Sequence, residues 1–305
     1  MSKRLEIIII AVLLLIYASL TYERNFTWKN ELSLWIDIAL KSPQKYRAHH
    51  NLGRAYRDNG DYQNALTELS KAIALNPSAP KAHMNIGKVY EMLGQDENAF
   101  QSYQRALEIA PTEISSLTYI GNMYDKQGLS DAAIKYYRKG LRVKPDSPVL
   151  LVSLGSVLKK KGLFNEAVSK YKSAIKIAPD MPEAFYNLGL AYDENGVLSD
   201  AVFFYQKALS LKPDYPEALS NLGVIYGKKG QLREASDLFR KAIEIKPDDV
   251  ITLFNLAFAY EELARLRQQK ELVNKAVETY ERILIIDPKN TRARKKAANL
   301  RKMIY

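Results

Sequence analysis

Gly53, Gly87, Gly121, Gly155, Gly189, Gly223 and Ala257 stand 34 residues apart along the chain. A fixed step of this length over most of a sequence signals a repeat architecture, because each unit is too small to bury its apolar face alone and must stack on copies of itself. Two further series keep the same step: Pro77, Pro111, Pro145, Pro179, Pro213 and Pro247, and Ala65, Ala99, Ala133, Ala167, Ala201 and Ala235. Three registers agree on one unit.

Each unit reads as two helices. The first carries segments such as NLGRAY from Asn51 to Tyr56 and NLGLAY from Asn187 to Tyr192, and the second is of the AVFFYQKAL type, Ala201 to Leu209. Glycines at 60, 94, 128, 162, 196 and 230 fall where the first helix must end, since glycine adopts the left-handed conformation at little cost. The periodic prolines stop the second helix, while Pro80, Pro148, Pro182 and Pro216 sit where a missing N–H is harmless, at the start of a first helix. Small residues such as Gly53 and Ala65 let two helix backbones approach, and Tyr56 or Leu69 fills the space beside them. This explains a skew in composition, 20 Tyr against 9 Phe and 2 Trp. Tyr56, Tyr90, Tyr124, Tyr192, Tyr226 and Tyr260 share one repeat position and Tyr103, Tyr137, Tyr171, Tyr205 and Tyr280 another, which assigns them to packing.

The recurring L-G-x-x-Y, followed by A, Y or F, A and P, resembles the tetratricopeptide repeat (TPR) family. The resemblance covers residues 46–290 as seven repeats, 46–79, 80–113, 114–147, 148–181, 182–215, 216–249 and 250–290, and implies an all-α fold, a right-handed superhelical solenoid of helix-turn-helix units. Leu158 stands where the fourth repeat should have its tyrosine. The seventh carries seven extra residues between Ala257 and Ala276, nearly two helical turns, so its helices can lengthen and keep the same buried face. Before the array, Asn30 to Pro43 resembles a repeat's second helix with Leu34, Trp35, Ile38 and Ala39 on one face, within a juxtamembrane half-repeat at 23–45. After it, residues 291–305 form a basic capping helix with Ala293, Ala297, Leu300 and Ile304 on its apolar stripe and Arg292, Arg294, Lys295, Lys296, Arg301 and Lys302 facing solvent.

At the amino terminus Lys3 and Arg4 precede an uncharged run, IIIIAVLLLIYASL, from Ile7 to Leu20. From Leu5 to Tyr22 a helix would span about 27 Å, close to the thickness of a bilayer's hydrocarbon core. Tyr22, Phe26 and Trp28 suit the far interface. The basic pair comes first, and Glu23 and Arg24 offset each other afterwards, so residues 5–22 read as a transmembrane signal anchor with its N-terminus in the cytoplasm and the repeats on the periplasmic or lumenal side. A cleaved signal peptide is the rival reading, with Tyr17-Ala18-Ser19 as its cleavage site.

Catalytic constellations are lacking. His49, His50 and His83 have no metal-ligand spacing, and no phosphate loop, G-x-S-x-G or paired-carboxylate motif stands out. With no Cys, disulfides, thiolate metal sites and a cysteine nucleophile are excluded. Neither a cofactor nor a metal is expected. The net charge of +11 favours anionic partners, but it is spread along the chain, and nucleic acid is not the expected partner.

A TPR array implies a concave groove lined by first helices. The position before L-G holds Asn51, Asn85, Asn187, Asn221 and Asn255, interrupted by Tyr119 and Ser153, which resembles the asparagine ladder of the O-GlcNAc transferase repeats. An Asn amide offers donors and an acceptor that match a peptide group, so a row of them holds an extended chain without reading its sequence. Any one of them can equally satisfy a turn or face water. The early repeats add Arg47, His50, Arg54, Arg57, Lys81 and Lys88, the later ones Glu183, Asp193, Glu194, Glu217, Glu261 and Glu262, a polarity that would orient a ligand. The carboxylate clamp of repeat co-chaperones is not reproduced, because Ser115 and Tyr119 occupy positions that need basic residues.

A second resemblance lies around the anchor. Tyr22-Glu23-Arg24-Asn25, Trp28-Lys29-Asn30-Glu31, Ser33-Leu34-Trp35 and Lys41-Ser42-Pro43 resemble the last membrane helix and the start of the repeats in membrane O-mannosyltransferase-like glycosyltransferases, whose catalytic multipass portion this chain lacks. The expected function is therefore a membrane-anchored, non-enzymatic scaffold for proteins or extended peptides. The alternative is a substrate-recruiting arm of a glycosyltransferase system. Oligomeric state is open.

Overall fold

The computed structural model describes residues 3–302; within the first helix the side chains of residues 3–8, 20 and 23–27 are not described. The described residues form seventeen helices and no strand, α1 (Lys3–Thr27), α2 (Glu31–Lys41), α3 (Tyr46–Asp58), α4 (Tyr62–Leu75), α5 (Pro80–Met92), α6 (Asp96–Ile109), α7 (Ile114–Lys126), α8 (Ser130–Val143), α9 (Pro148–Lys160), α10 (Phe164–Ile177), α11 (Pro182–Glu194), α12 (Leu198–Leu211), α13 (Pro216–Lys228), α14 (Leu232–Ile245), α15 (Val250–Arg267), α16 (Lys270–Ile286) and α17 (Thr291–Arg301). They group into two compact units, residues 1–145 and 146–305.

Local chemistry sets the helix ends. Gly60, Gly94, Gly128, Gly162, Gly196 and Gly230 all have φ between 71° and 80°, closing the first helix of their pair, and nothing lies near enough to any of them to meet an added Cβ. Pro80, Pro148, Pro182 and Pro216 occupy the first turn of α5, α9, α11 and α13.

In the N-terminal unit, α2 docks on α3 through Leu32, Trp35, Ile36, Ile38 and Ala39 against Ala48, Leu52 and Tyr56. Leu32 and Ile36 join this face and Leu34 does not, because α2 turns the stripe at 32, 35, 36 and 39 onto α3; a capping box of Asn30 and Ser33 starts the helix at Glu31. Trp28 Nε1 donates to Asp37 at 3.1 Å, tying the segment after α1 to α2. His49 and His83 are latches to the preceding turns: their Nε2 atoms lie 2.9 and 3.0 Å from the carbonyl oxygens of Pro43 and Pro77, six residues back in each case. His49 Nδ1 also meets Glu68 at 2.6 Å.

In both units the first helix of a pair packs its glycine on the large residue of the second. A Cβ at Gly121 would fall 2.5 Å from a ring carbon of Tyr137, and one at Gly189 would fall 2.8 Å from Tyr205. Tyr103, Tyr137, Tyr171, Tyr205 and Tyr280 are among the largest fully buried side chains. Tyr56, Tyr90, Tyr124, Tyr192, Tyr226 and Tyr260 are half-buried; Tyr90 and Tyr124 flank one cluster of the N-terminal unit, and Tyr192 and Tyr226 flank one of the C-terminal unit.

The C-terminal unit contains the lengthened pair. Its first helix, α15, is five residues longer than α13, and α16 is three longer than α14, while the turn between them is one shorter, with Gln268 in place of glycine at φ 53°. Ala293, Ala297 and Leu300 of α17 are buried against this pair, and Ile304 lies outside the described residues. The basic face of α17 is partly engaged. Lys296 pairs with Glu261 at 2.7 Å, Arg301 with Glu281, and the Arg292 guanidinium lies 4.2 Å from the centre of the Phe254 ring.

The expected anchor at 5–22 lies within α1, which continues to Thr27. Ile9, Ile10, Val12, Leu13, Leu14, Leu15, Ile16 and Tyr17 are all exposed large hydrophobic residues. Side chains of α1 are described continuously only over 9–19, and among the described residues no helix is long and apolar enough to cross a membrane. Lys3, Arg4, Glu23, Arg24 and Phe26, on which the expected orientation drew, have side chains outside the described residues.

Candidate peptide-binding face

In each unit the first helices present side chains at steps of three and four residues, so one stripe of each helix faces away from its partner second helix. The asparagines expected to form a ladder lie along these helices in unlike settings. Asn85 is buried: its Nδ2 donates to His50 Nε2 at 2.9 Å, and its Oδ1 accepts from Arg57 Nη1 at 2.8 Å. Asn51 Oδ1 lies 3.2 Å from His50 Nδ1. The network assigns His50 its neutral tautomer, with Nδ1 donating to Asn51 and Nε2 accepting from Asn85. Burial, then the nearby Arg54 and Lys81 charges, push its pKa down, against the hydrogen bond to Asn51.

Arg57 also donates to Asp58 at 2.6 Å. Next to it Lys88 Nζ sits 4.9 Å from the centre of the Tyr119 ring, which stacks on Tyr103 at 4.9 Å. The Tyr103 hydroxyl donates to Glu91 at 2.9 Å, and burial together with that carboxylate drives its pKa far up. Arg57, Asp58, Lys88, Glu91, Met92 and Tyr119 line a cleft of about 440 Å³. The aromatic pair was not singled out from sequence as a site; the signal was Tyr119 standing where other repeats carry asparagine.

In the C-terminal unit Asn187 turns back on its own helix, donating to the Glu183 carbonyl at 2.7 Å. Asn221 Nδ2 reaches the hydroxyls of Tyr186 at 3.3 Å and Tyr205 at 3.4 Å. Tyr186 packs on Tyr215 as well, with ring centres 4.9 Å apart. Burial raises the pKa of Tyr186, Tyr205 and Tyr215, and nearby Asp193, Glu183 and Glu217 add to this. Asn255 stands on the wall of a pocket of about 260 Å³ shared with Val224, Gly227, Phe239 and Phe258. Gly227 opens that pocket, since it puts a hydrogen where the matching positions of other repeats hold Arg57, Glu91, Asp193 or Glu261. The sequence shows this as a glycine outside the two periodic series.

The acidic row is largely neutralised. Glu194 pairs with Lys159, Asp193 lies 3.9 Å from Lys228, Glu261 pairs with Lys296, and Glu262 pairs with Arg265. Glu183 and Glu217 keep no such partner among the described residues. Among the described residues no group of three or more His, Asp and Glu side chains is placed to hold a metal ion.

Stacked helical hairpins of 34-residue period define a repeat class, and sequence-family models give its name. A model described as TPR repeat matches residues 53–94, 155–196 and 194–230, and models described as tetratricopeptide repeat match 78–146, 216–249 and 238–271. The chain belongs to the tetratricopeptide-repeat family. No curated protein matches it. Among solved structures it is similar to a chain of the APC/C hetero-tetramer Cut9-Hcn1, with 19% identity and a TM-score of 0.68 over 77% of this chain and 47% of that one. It thus spans about half the length of that relative. It is also similar to pilF of Pseudomonas aeruginosa, with 18% identity and a TM-score of 0.61 over 72% of this chain and 97% of that one. YrrB, described as a TPR protein with an unusual peptide-binding site, matches at 21% identity and a TM-score of 0.48 over 61% of this chain and 95% of that one. At these identities the likeness concerns the fold. The family matches begin at residue 53, and no match supports the expected O-mannosyltransferase-like resemblance of residues 22–43.

Proposed function

We propose that this chain is a non-enzymatic scaffold that binds extended segments of partner proteins along the first-helix faces of its repeats. The TPR fold is consistent with protein or peptide partners. The observation that carries the reading is Asn255, half-buried on the wall of an apolar pocket large enough for one bulky side chain, with the exposed Phe258 beside it. An amide beside an apolar pocket suits a peptide, whose backbone needs a hydrogen-bond partner wherever its side chain is anchored. Asn187 and Asn221 lie at the corresponding positions of the two preceding repeats and are only half-buried, so a ligand can reach their amides.

A tether goes with this reading. The exposed apolar run of α1 matches the composition of a membrane helix, and Lys3 and Arg4 before it favour a cytoplasmic N-terminus with the repeats across the bilayer.

Photocrosslinking from native membranes tests the binding reading, comparing the intact chain with a variant carrying Asn187→Ala, Asn221→Ala and Asn255→Ala whose helicity is checked by circular dichroism. Loss of the crosslinked partners from the variant is the expected outcome, and an unchanged set would refute it. Protease added to the cytoplasmic side should leave the repeats intact; their digestion would overturn the orientation.

A further inference from the structure

Cations of the first two repeats are treated differently on the two sides of the N-terminal unit. On second helices they sit beside carboxylates: Lys71 pairs with Glu68 at 2.8 Å and Arg105 with Glu108 at 2.6 Å. On first helices only Arg57 does, beside Asp58. Arg47, His50, Arg54 and Arg57 follow steps of three and four along α3, and Lys81, Asn85 and Lys88 do so along α5, so each set shares a face. The Asn85 bonds to His50 and Arg57 join the two faces into one surface, and Lys88 above Tyr119 extends it to α7. Within it Arg57 is neutralised by Asp58, and Glu91 is engaged by Tyr103. Arg47, Arg54, Lys81 and Lys88 make no ion pair among the described residues. Gathering four cations that make no ion pair on one face, with only the Asp58 and Glu91 carboxylates nearby, is unfavourable in the free protein and is relieved by an anionic ligand.

We propose that this face of α3, α5 and α7 binds an acidic extended segment of a partner protein, with Arg54 and Lys81 receiving carboxylates and the Asn85–His50 pair holding α3 and α5 in register beneath them. The inference deepens the peptide-binding reading and rests on it. A polypeptide fits better than a nucleic acid. Single-stranded bases need open aromatic faces to stack on, and the Tyr119 ring is taken by Tyr103 and Lys88. Arg54 is half-buried and Lys81 exposed, so both reach solvent from a rigid helix.

The test uses the full chain and fluorescence anisotropy with a peptide of alternating Asp and Ser about twelve residues long, extended by self-repulsion. A peptide of alternating Asn and Ser and an oligothymidylate of matching length serve as comparisons. The acidic peptide should bind at least about tenfold tighter than the neutral one and weaken as salt rises from about 50 to about 300 mM. A variant with Arg54→Gln and Lys81→Gln should lose at least about tenfold in affinity, as expected when charge-assisted hydrogen bonds are removed. A control with Lys135→Gln and Arg138→Gln, which removes as much charge from the exposed side of α8, should change it less than about twofold. Equal losses in the two variants would reduce the effect to net charge and overturn the proposal. So would oligothymidylate binding as tightly as the acidic peptide, or no binding of that peptide at all. Equal binding of neutral and acidic peptides would refute the charge assignment while leaving the peptide-binding reading intact.

Discussion

Two glycines four residues apart on α13 separate intrinsic helix preference from helix packing. Replacing a mid-helix glycine by alanine gains about 0.8–1.0 kcal/mol of helix propensity. That gain applies in full to Gly223→Ala and only in part to Gly227→Ala, because Gly227 is the last residue but one of α13. At Gly227 the nearest heavy atom to an added Cβ is Ala235 Cβ at 3.9 Å, an ordinary contact, so the variant should be at least as stable as the parent, by up to about 0.5 kcal/mol for a position in the last turn. At Gly223 the Cβ would lie 2.7 Å from Phe239 Cε1, 3.0 Å from Cδ1 and 3.1 Å from Cζ. Carbon pairs prefer about 3.5–4.0 Å, so ring and helix must part by nearly an ångström. Phe239 is only 3% exposed and is packed in a cluster with Ile243, Leu253 and Leu256, which blocks a swing of the ring. Overpacking of this kind costs about 1–3 kcal/mol, leaving Gly223→Ala less stable than the parent by up to about 2 kcal/mol. The difference in sign between the variants is set by the steric cost at Gly223. The seventh pair shows that a methyl is tolerated where the helices are built for it: Ala257 takes the glycine's place on the lengthened α15, fully buried. Urea unfolding followed by circular dichroism gives the stabilities, with amide exchange of α13 and α14 alongside, because the stability of a repeat array is a sum of local terms. Shifts of the same sign and size in the two variants would refute the close-packing argument.

Ser116→Ala should stabilise the N-terminal unit by about 1 kcal/mol, because the Ser116 hydroxyl is fully buried without a hydrogen-bond partner and Ala48, Ala82, Ala184 and Ala218 hold the same repeat position; an unchanged or lower thermal midpoint would contradict this. Acid should weaken the N-terminal unit in two steps. Burial holds the folded-state pKa of His50 below 6.5, so its contribution is complete above about pH 6.5 and falls away below it. The hydrogen bonds from His49 and Lys71 outweigh burial at Glu68 and hold its pKa below 4.5, so its share is lost as pH drops below about 4.5, and Glu68→Gln should remove that second step from the stability profile. At the alkaline end burial raises the Tyr171 pKa to about 12. Its folded value exceeds the unfolded one, so stability present below about pH 10 declines between about 10 and 12, and the absorbance of ionised tyrosine should develop late in the folded chain. Glu194→Gln should alter stability by less than about 1 kcal/mol, since its pairing with Lys159 is half-exposed.

Much of the fold could be read in one dimension. The glycine, proline and alanine series located the turns and the small-to-large contacts, and of the eleven tyrosines assigned to packing the five in the Tyr103 series are fully buried or nearly so, while the six in the Tyr56 series are half-buried. These features are legible because each depends on interactions within one helical hairpin, which the period repeats at every copy. The lengthening of α15 and α16 was legible for the same reason, since added residues must enter in near-whole turns to keep one face buried. The exchange of Leu32 and Ile36 for Leu34 on α2 was not, because it turns on which face of a single unrepeated helix docks on α3.

The candidate site divides differently. Sequence alone determined which residues lie along the first helices, and so named Asn85, Arg57 and Lys88 together with Asn187, Asn221 and Asn255. Only the tertiary structure decided what those side chains do. Asn85 is buried and shared between His50 and Arg57, Asn187 turns to its own helix, and Asn255 stands beside a pocket that Gly227 opens. It also decided that the acidic row of the later repeats is mostly paired while the basic row of the first two is not. The reason is physical: a period records the contacts every copy makes, whereas the pairing of a side chain depends on the one neighbour it meets in space, often about 35 positions away on the next first helix.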